Sequence, residues 1–459
     1  MAARPVTLLL VDARPRGAAL AALAGAVEGD PATAATAIRF AAPGTDLAAA
    51  VREAAIRGAV VVGWSITTTA LEDAAAALAD LWRSTGAPGG AQRGAPRPGD
   101  VAPAAGVLHV AGGPHPTADP AGTLGAGFDL AAVGEGEATL VALLRRIAAA
   151  ADPRGPGLAW REAGGVRLGA RPAPVDLDAC PPFPERARRL GPIEITRGCG
   201  HACRFCQTTH LHGGRIRHRS AAAVARAAGA IAARALRDVR FVSPSALAYG
   251  SDDGSPRLEA VEELLRRVRE AIGAPGRIWL GSFPSEVRPE HVTPEALRLL
   301  RRHVANDHLV VGAQSGSDVV LQACHRGHGT AEVRRAVRLA LEAGFRAKVD
   351  LVFGLPGETP GDAAASRALA QELAGLGAEI HAHAFLPLPG TPWAGAPAGR
   401  IDGETRRLLE RLAGHGRASG PWRRQEGLAR AIAARAREAA GDLAAGVGSS
   451  GGAPRAARG

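Results

Sequence analysis

Three cysteines in one short run are the residues of this chain whose types and spacing best suit chemistry. Cys199, Cys203 and Cys206 follow the pattern Cys-x3-Cys-x2-Cys, and Phe205 directly precedes the last of them. Three thiolates can hold three irons of a cubane 4Fe-4S cluster and leave the fourth iron open to a small molecule, whereas ordinary cluster proteins supply four cysteines. The spacing therefore predicts an iron–sulfur site with one open iron.

A zinc site or a chance grouping is the alternative interpretation of these cysteines. Structural zinc sites usually pair Cys-x2-Cys with a second ligand pair downstream. No such pair follows, although His201, His210 and His212 lie close by in sequence. The remaining cysteines, Cys180 and Cys324, are far apart, which is not the pattern of a disulfide framework. The spacing favours the iron–sulfur interpretation.

The cysteine segment resembles the radical SAM superfamily, in which the amino and carboxylate groups of S-adenosylmethionine (SAM) bind the open iron. The resemblance is most specific over residues 191–220 and extends over residues 7–392. It implies that Cys199, Cys203 and Cys206 are the metal ligands. It also implies an electron donor such as flavodoxin or ferredoxin, and reductive cleavage of SAM to methionine and a 5′-deoxyadenosyl radical that removes hydrogen from an unactivated carbon.

Alternating strands and helices are predicted around this segment, over residues 190–392. The six predicted strands are Ile193–Thr196, Val239–Ser243, Arg277–Ser282, His308–Ala313, Ala347–Phe353 and Glu379–Phe385. A helical stretch follows each of the first five, and the cysteine loop follows the first strand. Because ligands of such barrels lie at the C-terminal ends of the parallel strands, the pattern predicts a partial (β/α)6 barrel of the TIM type with the cluster at that end.

The loops after the predicted strands supply the candidate SAM contacts. By resemblance, Glu286 and Arg288 bind the amino acid portion or the ribose, and Gln314 and Ser315 lie near the ribose or carboxylate. A Gly-Gly-Glu-like motif is common after the second strand of the family, but here Ser243 and Ser245 stand in that region. The full set of predicted contacts is Phe205, Ser243, Ser245, Glu286, Arg288, Gln314 and Ser315. The loops that begin at Gly354 and Leu386 are interpreted equally as strand-end turns or as ligand contacts.

The first part of the chain, residues 1–151, is predicted to be a doubly wound parallel sheet of the Rossmann or flavodoxin type, because strands and alanine-rich helices alternate there as well. A Gly/Pro-rich run at 84–100 is predicted to be a disordered insertion. Residues 152–189 are interpreted as a hairpin and linker, 393–445 as a helical C-terminal extension, and 446–459 as a disordered tail.

Three loops of the N-terminal part resemble those of the cobalamin (B12)-binding domain fused to many radical SAM enzymes. The residues that carry this resemblance are Ser65, Thr67, Gly112, Gly113, Gly134, Glu135 and Gly136. Cobalamin domains of the mutase type place a cobalt-binding histidine where this chain has Arg14, and a protonated guanidinium cannot ligate cobalt. Either cobalamin binds without a protein histidine, or the domain is a scaffold; His115 is a possible substitute ligand. The whole chain resembles the B12-binding domain/radical SAM domain proteins.

Composition limits the partners. The net charge is +11, but the positive residues are almost all arginines spread along the helices, and aromatic residues make up 3% of the chain. Because base-stacking surfaces need aromatic side chains, a nucleic-acid partner is not expected. No run of about 18 apolar residues predicts a membrane span, and no signal-peptide pattern is found. The cytoplasm is the expected location.

The sequence thus predicts a radical SAM enzyme that acts on a small molecule, with methylation or rearrangement of an unactivated carbon as the outcome if cobalamin binds. A non-catalytic iron–sulfur electron carrier or sensor is one alternative. A methylthiotransferase-like modifier of RNA or protein is another, but such enzymes usually carry three more cysteines in an N-terminal domain, and no cysteine precedes Cys180 here.

Overall fold

The computed structural model describes residues 4–11, 17–85, 106–163 and 165–448. The motif position Arg14, the part of the predicted insertion from residue 86 onward and the tail from residue 449 lie outside the described residues. Two sheet systems account for the described chain, an N-terminal seven-stranded sheet and a barrel that follows it.

The N-terminal sheet is mostly parallel. Its strands are β1 (Val6–Val11), β2 (Ala37–Ala41), β3 (Ala59–Ser65), β4 (Val107–Gly112), β5 (Leu130–Ala132), β6 (Leu158–Glu162) and β7 (Gly165–Leu168). They lie in the order β2-β1-β3-β4-β5-β6-β7. The first five pair in parallel, and β6 and β7 pair antiparallel. The predicted hairpin is therefore present, and it extends the N-terminal sheet rather than standing apart as a linker.

Helices cover both faces of this sheet. They are α1 (Ala18–Gly29), α2 (Thr45–Arg57), α3 (Leu71–Thr85), α4 (Pro114–Ala118), α5 (Pro120–Gly125) and α6 (Gly136–Ala148). Side chains of β1 alternate between the two covered faces: Leu8 and Leu10 belong to one apolar core, and Leu9 and Val11 belong to the other. Such continuous burial is typical of a parallel strand with helices on both sides, which confirms the predicted doubly wound architecture.

The barrel follows the predicted order of elements. Its strands are β8 (Ile193–Glu194), β9 (Thr196–Arg197), β10 (Arg217–His218), β11 (Asp238–Val242), β12 (Arg277–Trp279), β13 (His308–Gln314), β14 (Arg346–Phe353), β15 (Glu379–Ala384) and β16 (Ala418–Ser419). Its helices are α7 (Gln207–His212), α8 (Ala221–Ala232), α9 (Leu258–Ile272), α10 (Pro294–His303), α11 (Asp318–Ala323), α12 (Thr330–Glu342), α13 (Pro360–Gly375), α14 (Gly403–Gly414) and α15 (Trp422–Gly448).

The six main strands, together with the short β16, form two parallel groups, β12-β11-β8 and β13-β14-β15-β16. A bridge between Val287 and Val311, together with a hydrogen bond from the Val310 amide to the Gly281 carbonyl (2.8 Å), connects the groups. The result is the open, partial barrel predicted from the sequence.

Two details of the barrel differ from the sequence prediction. The first predicted strand, Ile193–Thr196, is divided: β8 pairs with β11, whereas β9 turns away and pairs antiparallel with β10. In addition, β16 adds a seventh strand beside β15, within the segment predicted as a helical C-terminal extension. A two-residue strand is too short to show a hydrophobic period, so the sequence gives no signal for it.

None of the helices in the described ranges combines the length and the apolar composition needed to cross a membrane.

Candidate active site

The three cysteines lie on the loop between β9 and α7, at the C-terminal end of the barrel strands. Cys203 is buried, and Cys199 and Cys206 are half-buried. The backbone of Cys199 is held by the Thr209 hydroxyl, which donates to its carbonyl at 2.6 Å. Gly198 has φ +87°, and a Cβ there would lie 2.3 Å from the carbonyl oxygen of Arg215. Only glycine therefore lets the loop begin this close to the strand that returns beside it.

The three thiols occupy a common electrostatic environment. Burial raises the pKa of Cys206, and the neighbouring Cys203 and Cys199 thiols raise that pKa further. The Cys203 and Cys199 thiols thus lie within electrostatic range of the Cys206 thiol, as expected for ligands of one cluster. The donor set and its placement fit a 4Fe-4S cluster held by three cysteines.

Arg326 is a site residue that the sequence analysis missed. Its Nη1 lies 3.5 Å from Sγ of Cys203, its Nη2 donates to the Gly312 carbonyl at 2.7 Å, and the residue is buried. It therefore places a fixed positive charge beside Cys203, a predicted cluster ligand. The concentration of reactive side chains in the run Cys324-His-Arg-Gly-His328 was the available signal.

Cys324 and Phe205 pack together next to the cysteine loop. Both belong to an apolar cluster that includes Leu355 and Phe385. The backbone amide of Arg204 also donates to the Cys324 carbonyl at 3.1 Å. Burial raises the pKa of the Cys324 thiol to about 12, so this thiol stays protonated and serves as apolar packing.

The predicted SAM contacts on the second strand loop are bonded within the protein. The Ser243 hydroxyl donates to the Ser245 carbonyl at 2.9 Å. The Ser245 hydroxyl lies 3.3 Å from Nδ1 of His291, and both serines are buried. Within the part of the chain that the structure describes, both hydroxyls bond to other protein groups and hold the conformation of the loop.

The two predicted SAM contacts after β12, Arg288 and Glu286, lie in different environments. Arg288 is buried, donates from Nε to Glu290 at 2.5 Å and also donates to the Arg326 carbonyl. Glu286 is half-buried: burial raises the pKa of its carboxyl to about 7, and the negative charge of Asp350 adds to that rise. Glu286 thus lies near Asp350 on the inner side of the barrel.

The two predicted SAM contacts after β13, Gln314 and Ser315, also differ from each other in their environments. Gln314 has φ +74°, at an irregularity in the pairing of β13 with β14. Ser315 is fully buried; its hydroxyl lies 3.3 Å from that of Ser366 on α13 and accepts from the Ser317 amide at 3.1 Å. Gln314 is therefore placed at the strand end, whereas Ser315 ties that end to a covering helix.

A cavity of about 300 Å³ lies at the C-terminal edge of the N-terminal sheet. Six of the seven residues predicted for cobalamin line it: Ser65, Gly112, Gly113, Gly134, Glu135 and Gly136. The seventh, Thr67, is not in the lining, and its hydroxyl lies 3.2 Å from that of Thr69. The opposite wall comes from the barrel, including Arg197, Leu211 and His212. The cavity therefore lies between the two sheet systems, next to the helix that follows the cysteine loop.

Buried ion pairs form one wall of this cavity. Arg197 of β9 contacts Glu194 and Glu137 at 2.6 Å each and Glu135 at 3.3 Å. Glu135 also pairs with Arg217. Burial alone would raise the pKa of Glu135, but the hydrogen bonds from Arg217 and from the Val175 amide, with the Arg197 charge, hold that pKa below its usual value. The network joins the start of α6 to the barrel.

His115 does not line the cavity. The side chain is 3% exposed, neither ring nitrogen has a hydrogen-bond partner in the described residues, and burial lowers its pKa. Nε2 lies 4.0 Å from the Asp119 carboxylate. The structure therefore places this possible cobalt ligand behind the cavity wall.

Comparison with known proteins places the cysteine loop in a family. Residues 193–370 match the model of the radical SAM superfamily. Over this stretch, which holds the three cysteines, the chain is similar to radical SAM proteins. The family implies a 4Fe-4S cluster and SAM as its cofactors, and the residues around the cysteine loop fit the cluster.

Curated relatives match between about half and two thirds of the chain. The chain is 30% identical over 218 residues to a tRNA-2-methylthio-N(6)-dimethylallyladenosine synthase of Saccharophagus degradans, a match of 47% of this chain and 46% of that protein. It is 26% identical over 350 residues to an uncharacterized protein of Methanopyrus kandleri, with 63% and 62% covered. The chain spans about half the length of the methylthio synthase it matches.

Solved structures match both sheet systems. The radical SAM methyltransferase TsrM from Kitasatospora setae, solved with cobalamin and a 4Fe-4S cluster, has a TM-score of 0.64 at 20% identity, covering 87% of this chain and 75% of that one. The cobalamin-dependent radical SAM enzyme OxsB, solved with aqua-cobalamin, has a TM-score of 0.62 at 13% identity, covering 80% and 52%. At these identities the likeness concerns the fold.

Proposed function

We propose that this radical SAM enzyme depends on cobalamin and methylates an unactivated carbon of a small molecule. The observation that carries the proposal is the cavity between the N-terminal sheet and the barrel. Its lining combines the predicted cobalamin residues with residues from both ends of the cysteine loop, Arg197 before it and His212 after it. This lining would hold a corrinoid next to the cysteine loop.

Residues around the cysteine loop have separate roles in the proposed reaction. Cys199, Cys203 and Cys206 hold the cluster, and Arg326 neutralises part of its charge through Cys203. When bound, the cluster and SAM supply a 5′-deoxyadenosyl radical, and methylcobalamin supplies a methyl group. The protein binds and aligns these groups and keeps water away from the radical. The apolar packing of Phe205 against Cys324 and Phe385 supports that exclusion beside the cysteine loop.

The cobalamin residues act through the backbone and through shape. Gly112 ends β4, and a Cβ there would meet the Cβ of Ala132 at an ordinary contact distance of 3.5 Å. Gly113 has φ +112°, and a Cβ there would lie 2.9 Å from the Ile66 carbonyl oxygen. Gly113 is therefore required by the loop itself, whereas Gly112 borders the cavity without backbone strain. Among the described lining residues, the sheet side contributes no histidine and the barrel side contributes His212. Cobalt without a protein histidine ligand therefore requires that His212 does not coordinate it.

The methylthiotransferase alternative is weaker. The relatives named for that activity match about half of this chain, and no cysteine of this chain precedes Cys180. A second cluster in the N-terminal sheet therefore lacks thiol ligands.

The test uses anaerobically reconstituted protein. We expect four irons per chain, reductive cleavage of SAM to 5′-deoxyadenosine, and uptake of one cobalamin whose cob(II)alamin EPR spectrum shows no splitting from histidine nitrogen. Cys203→Ala should lose the cluster and the SAM cleavage. Gly112→Val should lower cobalamin affinity by roughly tenfold, about 1.4 kcal/mol, because the added methyl groups enter the cavity.

Ile56→Ala on the exposed face of α2 is the control for Gly112→Val, since Ile56 is 86% exposed. Protein that carries a full cluster yet takes up no cobalamin at tens of micromolar would contradict the cobalamin part alone. A full cluster that gives no 5′-deoxyadenosine above the Cys203→Ala background would instead favour an electron carrier or sensor.

A further inference from the structure

Two neighbouring barrel strands bring three potential metal ligands together. Asp350 of β14 stands beside His381 of β15 in the parallel register, and His383 follows two residues later. The neighbouring residues of β15, Ile380 before His381 and Ala382 between the two histidines, are fully buried in the main apolar core. Because successive side chains of a strand point to opposite faces, His381 and His383 share the other face, toward the barrel interior.

The ligand atoms of the three residues converge. Oδ1 of Asp350 lies 2.8 Å from Nδ1 of His381 and 3.9 Å from Nε2 of His383. Nδ1 of His381 lies 3.1 Å from Nε2 of His383. Ligands at about 2.0–2.2 Å from one zinc-sized ion in tetrahedral geometry stand roughly 3.4 Å apart. The observed separations bracket that value, so an ion fits with shifts of a few tenths of an ångström.

We propose that Asp350, His381 and His383 bind one divalent transition-metal ion, zinc or ferrous iron, in addition to the cluster. Two imidazoles and one carboxylate are a donor set that these ions prefer, and three protein ligands leave further positions open. The side chains of His381 and His383 are 31% and 26% exposed, so the open positions face the barrel interior. An oxygen donor of a substrate, such as a carboxylate or hydroxyl, is the chemical class that would complete the coordination.

Gln425 of α15 positions His383, one of the three proposed ligands. Its Oε1 accepts from the Ala384 amide at 2.9 Å, and its amide nitrogen lies 3.2 Å from Nδ1 of His383. This contact directs Nε2 of His383 toward the other two ligands. With a metal on Nε2, Nδ1 carries the proton, and a small turn of the Gln425 amide lets Oε1 accept from both groups. Metal-binding histidines commonly have their second nitrogen held in this way.

The site does not depend on the proposed methylation, and the two can be tested apart. Full-length protein is first loaded with its cluster, so that Cys199, Cys203 and Cys206 are occupied. Equilibrium dialysis against zinc sulfate under anaerobic conditions, followed by metal analysis, measures zinc and iron per chain. We expect one zinc in addition to the four cluster irons, and at least a tenfold loss of zinc affinity in both Asp350→Asn and His381→Gln.

Both variants keep similar volume and hydrogen-bonding capacity, and unchanged cluster iron verifies that they fold. His308→Gln is the matched control, because His308 also pairs with a carboxylate, Asp307, at 2.8 Å but on the surface; its zinc content should equal that of the wild type. Wild-type protein that binds no zinc at tens of micromolar would overturn the proposal, as would equal zinc in wild type, Asp350→Asn and His381→Gln. Zinc binding without SAM cleavage would retain this site and reject the proposed function.

Discussion

Single residues around the cluster show where chemistry can be read from spacing and where it cannot. The three cysteines stand out in the sequence because a cluster needs thiolates within one short loop, and their role as ligands stays a prediction. Arg326 was not predicted, because it follows Cys203 by more than a hundred positions and reaches it only through the barrel. Asp350 is likewise distant in sequence from His381 and His383, and only the barrel brings the three together. The two histidines alone form a detectable pattern, because they alternate along one strand.

Arg326 is expected to tune the cluster. Hydrogen bonds to cluster sulfurs and nearby positive charge raise the reduction potential. We therefore expect Arg326→Met to lower the potential of the cluster by tens of millivolts, measured by an EPR-monitored redox titration. Arg334→Met is the control, because Arg334 pairs with Glu372 on the surface. An unchanged potential in Arg326→Met would mean that the contact with Cys203 is structural only.

For the helices and strands, the sequence predicted which elements exist and of which type better than it predicted where they begin and end. The strands with continuous burial, such as β3 and β13, were found because parallel strands under helices are apolar along their length. The split of the first barrel strand into β8 and β9 was missed, since Ile195 between them is as apolar and buried as the strand residues. The short β16 was missed because its pairing with β15 is set by tertiary contact.

The Gly-Leu-Pro-Gly-Glu loop after β14 shapes a strand end. Glu358 accepts from the Gly354 amide at 2.8 Å, and Thr359 and Asp362 form a capping box at the start of α13. The Thr359 hydroxyl accepts from the Asp362 amide at 3.2 Å. Between the two interpretations of this loop, the described contacts favour turn formation.

We expect Thr359→Ala to destabilise the protein by about 1 kcal/mol, since a helix N-cap loses its side-chain acceptor. Thr359→Ser keeps the hydroxyl and should stay within a few tenths of a kcal/mol of the wild type. Chemical denaturation of the three proteins measures the difference. Equal losses in both variants would show that the methyl group of Thr359, and not its hydroxyl, matters.

At the scale of the whole molecule, the two sheet systems are joined by contacts of unequal strength. Arg197 is buried among Glu194, Glu137 and Glu135. By contrast, Arg435 of α15 pairs with Glu72 of α3 where both side chains are partly exposed. Removing one partner of a buried ion pair typically costs about 3–5 kcal/mol, whereas an exposed pair contributes less than about 1 kcal/mol.

We therefore expect Arg197→Met to destabilise the protein by about 3–5 kcal/mol and Arg435→Met by less than about 1 kcal/mol. The pKa of Glu135 is held below its usual value in the folded protein. Its stabilising effect is therefore complete above the unfolded pKa of about 4.3 and is lost as pH falls through the lower folded value.

Thermal unfolding of wild type and Glu135→Gln between about pH 6 and pH 3 measures this dependence. The wild type should lose more stability than the variant across the acid part of the range. If the stability of both proteins fell equally with pH, Glu135 would not contribute to the acid sensitivity of the fold.

The shared ion-pair network also has a consequence for the order in which the chain emerges during synthesis. Glu135 and Glu137 emerge from the ribosome before either arginine partner, because Arg197 and Arg217 follow them by 60 and 82 positions. All strands of the N-terminal sheet, which ends at Leu168, also precede the barrel. During that interval the sheet edge carries two unpaired carboxylates and lacks its opposite wall. The growing barrel supplies both the countercharge and the wall. The arginines arrive with β9 and β10, and the cavity is completed only when Val242, at the end of β11, has also been made.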